Sequence, residues 1–125
     1  MKSAFYDAKP SKFEAVGNGS YIYRWDIEEV KVESTEEQSD EVQYSCLEVV
    51  VWAPITSNKI MKEVMSAMYP NNREQKYINE YNSATLGVYS DDVAAEKIKA
   101  YKDFLVERDG LKSQVDSDCK ELGIL

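Results

Sequence analysis

Apolar and polar residues alternate with a period of two in the first half of the chain. In the second half they recur at helical spacing. Phe13-Glu14-Ala15-Val16-Gly17 and residues 20–27 read as strands on either side of Asn18-Gly19. That dipeptide between β-prone runs predicts a type I′ hairpin turn with φ > 0 at both positions. Tyr21, Tyr23, Trp25 and Ile27 share one predicted face, with Arg24, Asp26 and Glu28 on the other. A third strand spans about 42–53. Its Leu47, Val49, Val51 face and its Cys46, Val50, Trp52 face are both apolar, which predicts a central strand. The expectation is a three-stranded antiparallel meander over about 11–53, with the aromatic row as its core face.

Pro54 ends the sheet because it cannot donate to a ladder. Thr56 is then a candidate N-cap, with Ile55 and Ile60 as a hydrophobic staple. Ile60, Met61, Val64, Met65 and Met68 form one apolar helix stripe ending near Tyr69-Pro70. Asn71 with Glu74, or Asn72 with Gln75, caps a second helix whose stripe is Tyr77, Ile78 and Tyr81, with Gly87 after its end. Ser90 caps a third, with Asp91 and Asp92 at its positive end, running to Leu122 before Gly123. The predicted fold is α+β: a single domain over 1–125, with a helical part over about 56–122.

The third helix would be about 48 Å long, more than a domain of this size needs to cover its own sheet. Gly110 inside it costs about 1 kcal/mol relative to alanine, so a break at Asp109-Gly110 is the competing expectation. If the helix is continuous and projects, Leu111, Val115, Cys119 and Leu122 form an exposed apolar strip and a candidate homo-oligomer interface. If the chain turns at Gly110, the strip folds back over the sheet.

Charge narrows the functional classes. The net charge is −8, and mean hydropathy is −0.53. Residues 26–41 hold eight acids and one base, Lys31, so that stretch alone carries −7. Glu33, Glu36, Glu37, Asp40 and Glu41 read as a solvated hairpin connection or as an acidic docking surface for a basic partner protein. Nucleic-acid binding needs lysines and arginines placed against phosphates, and no basic stripe occurs, so no nucleic-acid partner is expected. No apolar run approaches a membrane span, so no membrane partner is expected either.

The chain contains no histidine, which removes His-based triads and His-ligated metal sites. Cys46 and Cys119 read as small core hydrophobes in a reducing compartment. The expectation is therefore no catalytic residue, no metal and no cofactor.

Several phrases resemble small proteins of bacteriophage and prophage gene clusters of gut anaerobes, tail-associated or accessory. They are Lys12-Phe13-Glu14, Val16-Gly17-Asn18-Gly19-Ser20-Tyr21, Tyr23-Arg24-Trp25-Asp26-Ile27-Glu28-Glu29, Glu74-Gln75-Lys76 with Asn79-Glu80-Tyr81-Asn82, and Tyr101-Lys102-Asp103-Phe104-Leu105 with Arg108 and Leu111-Lys112. The resemblance implies a structural or assembly-accessory role and brings no catalytic residues. The expected function is thus non-enzymatic, through protein contacts and with itself as a partner, in the cytoplasm or in a virion. A small acidic module that docks on or inhibits a basic protein is the alternative.

Overall fold

A computed structural model of the chain describes residues 3–32 and 41–125. Four strands form one antiparallel sheet: β1 (Ala4–Tyr6), β2 (Phe13–Ala15), β3 (Ser20–Val32) and β4 (Glu41–Trp52). Their spatial order is β1-β4-β3-β2. Three helices follow: α1 (Ser57–Met68), α2 (Arg73–Thr85) and α3 (Asp91–Leu122). The expected meander of β2, β3 and β4 is present, but the sheet has a fourth strand that the sequence pattern did not mark. Three residues are too few to show a period of two, and β1 exists because Ala4 and Tyr6 find Cys46 and Tyr44 across the sheet.

The β2–β3 turn differs from the type I′ expectation. Gly17 and Gly19 have φ of 101° and 89°, while Asn18 is not left-handed. The Asn18 carboxamide oxygen instead accepts from the Ser20 amide at 3.1 Å, and Val16 N donates to Ser20 O at 3.0 Å. A Gly-Asn-Gly loop closed this way needs positive φ only at its glycines.

Strand β3 also breaks its expected alternation. Trp25 pairs with Leu47 but Glu28 pairs with Ser45, so Asp26 and Ile27 together oppose the single residue Cys46. This is a β-bulge, with Asp26 at φ 51°. Beyond it the face assignment inverts: Glu28, not Ile27, is in register on the side of Trp25.

Tyr23, Trp25, Val49 and Val51 form the buried face. Ile60 and Val64 of α1 and Val115 and Cys119 of α3 pack on it. Thr56 caps α1 as expected, accepting from the Lys59 amide at 3.2 Å. Asn72 and Ser90 hold the cap positions of α2 and α3 without a side-chain cap bond, so these two predicted side-chain caps are not made.

Helix α3 is continuous through Gly110 and still buries its last apolar strip, an outcome between the two expected ones. Its first half pairs antiparallel with α2, and its second half lies on the sheet. Val115 is 1% and Cys119 3% exposed, Leu111 is packed against the same core, and Leu122 is 40% exposed. The candidate interface Leu111, Val115, Cys119, Leu122 is therefore mostly internal core, a correction to the exposed strip. The helix needs no break because α2 occupies its other half. Tyr77 stacks on Phe104 at 4.9 Å and Tyr81 on Tyr101 at 4.5 Å.

Two stability predictions follow from these backbones. A side chain at residue 19 must adopt φ near 89°, so Gly19→Val should destabilise by more than about 1 kcal/mol, read as a lowered melting temperature. A Cβ at helical Gly110 meets nothing within 4 Å, so Gly110→Ala should stabilise by about 0.5–1 kcal/mol. A loss of stability in Gly110→Ala would mean that the helix is not continuous there.

Candidate functional site

The chemistry-bearing groups collect at two places on β3, one on each face of the sheet. On the helix face, the Tyr23 hydroxyl donates to Asp118 Oδ2 at 2.6 Å. Lys12 Nζ donates to Asp118 Oδ1 at 3.1 Å and to Glu121 Oε2 at 2.7 Å. Gln114 Nε2 lies 3.1 and 3.0 Å from the two Asp118 oxygens. Asp118 is buried on the same helix stripe as Val115 and Cys119, so a carboxylate is carried into the core by helix geometry.

Burial pushes the Asp118 carboxyl upward. The donors Tyr23, Gln114 and Lys12 outweigh it and hold the carboxyl below its ordinary value. The Tyr23 phenol moves far up, first through burial and then through the hydrogen bond to Asp118. Lys12 is raised by its bonds to Glu121 and Asp118. Acid, phenol and ammonium thus titrate away from neutrality. The cluster keeps one protonation state across the physiological range, which suits a clamp and not a proton shuttle.

On the opposite face Arg24 is 3% exposed. Its guanidinium donates to Glu14 at 2.7 Å, Glu48 at 3.1 Å and the Ser11 carbonyl at 3.1 Å, and it lies 4.7 Å from the Tyr6 ring centre. Burial opposes the charge, but these bonds hold the group more firmly protonated than usual. β1 and β2 sit on opposite edges of the sheet, so residues 7–12 must cross it. Arg24 holds that crossing down.

Between the crossing segment and the end of α3 lies a cleft of about 530 Å³. Its walls include Lys9, Trp25, Asp26, Ile27, Gln114 and Leu122. Trp25 Nε1 is buried there without a hydrogen-bond partner. A second groove of about 680 Å³ runs between α1 and the start of α2 over Met61, Met65, Tyr69 and Ile78, rimmed by Lys62 and Arg108.

The acidic docking candidates Glu33, Glu36, Glu37 and Asp40 lie outside the described residues. Glu41 begins β4, and its side chain also lies outside them. Cys46 and Cys119 are free and buried, and burial raises both thiols, which keeps them unreactive.

The sequence reading did not single out Lys12, Arg24 or Asp118. For Asp118 a signal existed: it sits three residues after Val115 and next to Cys119, so its side chain falls on an apolar stripe. For Arg24 there was none, because a charged residue on the outer face of a strand reads as solvated. No helix here is long and apolar enough to cross a membrane. Comparison with family models, curated proteins and solved structures returns no match for this chain.

The clamp has a defined pH signature. The folded Asp118 carboxyl holds its proton more weakly than the unfolded one. Its contribution is therefore complete at neutral pH and is lost as acid protonates it, below the usual carboxylate range. Asp118→Asn should lower stability by about 1–3 kcal/mol at neutral pH. The gap to wild type in urea melts should close toward about pH 2.

Proposed function

We propose that this chain is a non-enzymatic structural or assembly-accessory protein of the phage or prophage type, working through protein contacts. The observation that carries the reading is where the large apolar side chains are left open. Leu86 and Val88, 80% and 70% exposed, cap the outer end of the α2–α3 pair. Val50 and Trp52 stand at 50% and 57% on the sheet. Exposed apolar groups gathered at projecting places mark contact sites more often than scattered ones do. The buried charged groups Arg24 and Asp118, by contrast, are spent on holding the fold.

The alternative is docking on a basic partner through the acidic stretch. Glu28 and Glu29, exposed on the far half of β3, support it.

Mass spectrometry of particles purified after prophage induction of the source strain tests the first reading. The chain is expected in particles or in assembly intermediates at a fixed ratio to the major structural proteins. Its absence from both would overturn the proposal. Capture of a basic protein that is released by raising salt would instead support the alternative, because such docking weakens as the Debye length shrinks from about 10 Å at 0.1 M.

A further inference from the structure

We infer that the bare edge of β4, residues 48–52, pairs antiparallel with the same edge of a second copy of this chain, centred on Val50. This rests on the protein-contact reading and gives it a surface and a partner.

β1 covers β4 only at Tyr44, Ser45 and Cys46. Past that point no strand lies on this side of β4 among the described residues. Two hydrogen bonds fix which way the backbone groups point. Arg24 N donates to Lys12 O, so the even residues of this part of β3 face β2 and the odd ones face β4. Ala53 N donates to Gly19 O, so the odd residues of β4 face β3. In an antiparallel ladder the N–H and C=O of one residue point the same way and alternate along the strand. Glu48, Val50 and Trp52 therefore turn their amides and carbonyls outward. Trp52 O already accepts from Lys59 Nζ at 3.1 Å.

An outward row of backbone donors and acceptors is completed by an extended strand. The stretch Val49-Val50-Val51-Trp52 carries no charge of its own. The far half of β3, by contrast, is guarded by Glu28, Glu29 and Lys31, all exposed. Charges on edges discourage pairing, and their lack here invites it.

The charge pattern selects the register. A two-fold pairing that uses outward groups can centre on Glu48, Val50 or Trp52. Centring on Glu48 sets two carboxylates face to face. Centring on Trp52 brings Val50 opposite Pro54, which has no N–H. Centring on Val50 pairs all three outward residues, sets Glu48 opposite Trp52 of the second copy, and leaves Glu48 free to keep its bond to Arg24. The exposed Val50 side chains then meet on the face away from the helices, with Ile22 beside each.

Two chains of net charge −8 repel one another. Association through this edge should therefore strengthen with salt, the reverse of docking on a basic partner. Sedimentation equilibrium of the full chain is run at low and moderate salt up to about 0.5 mM protein, enough to populate a weak complex. The expected result is a mass twice 14.3 kDa, increasingly populated as salt rises. Val50→Lys should be monomeric with an unchanged melting temperature.

Residues opposite in such a pair have Cα atoms about 5.5 Å apart, within disulfide reach. Val50→Cys should therefore link two chains under mild oxidation, while Val88→Cys, equally exposed but remote, should not. A wild type that stays monomeric at both salts, or a Val50→Lys variant that still dimerises, would overturn the inference. The particle measurement is separate: a monomeric chain found in particles keeps the structural reading and removes the edge pairing.

Discussion

The seat of the second half of α3 on the sheet is the contact on which the rest of the architecture depends. Val115 and Cys119 press against the row formed by Tyr23, Trp25, Val49 and Val51. In the middle of that apolar contact the Asp118 carboxylate accepts from the Tyr23 hydroxyl. A buried carboxylate would cost several kcal/mol without partners. It is tolerated because Lys12 and Gln114 satisfy its remaining lone pairs. Lys12 also belongs to the crossing segment, so the bond that neutralises the helix carboxylate fastens the N-terminal strap as well. Arg24 fastens the same strap from the other face through the Ser11 carbonyl.

With that end fixed, the first half of α3 is free to serve a different layer. It pairs with α2 through Tyr77, Tyr81, Tyr101 and Phe104 and through the Glu74–Arg108 and Glu80–Lys97 ion pairs. Such exposed ion pairs contribute little each, so the aromatic stack carries most of the attachment. Tyr69 at the end of α1 joins the stack edge-on to Phe104 at 4.9 Å and donates its hydroxyl to Glu107. A single helix of 32 residues thus ties the sheet to an arm that ends in exposed Leu86 and Val88. The α2–α3 arm and the bare edge of β4 are separate surfaces, and an accessory protein can use one for itself and the other for a partner.

Element types and most boundaries were legible in the sequence because burial here follows plain periodicities. Thr56, the α1 stripe and Gly123 after α3 lie where the pattern places them. What was not legible depended on contacts between distant parts of the chain. Strand β1 is too short to carry a period. The bulge at Asp26-Ile27 cannot be read from alternation, because it is defined by one residue, Cys46, on another strand. The Leu111–Val115–Cys119 strip was rightly read as needing cover. Its cover is the chain's own sheet, because α2 takes up the length of α3 that seemed to be in excess. Neither clamp was visible, since Lys12 and Asp118 lie 106 positions apart.

Native-state hydrogen exchange across α3 tests the central claim most directly. Amides over 111–122 should be protected to the level of the β3–β4 ladder, because opening them exposes the Tyr23–Asp118 contact and the core. Amides at 91–100, in the arm, should exchange through smaller local openings. Equal and weak protection along the whole helix, or protection greatest in the arm, would contradict the account.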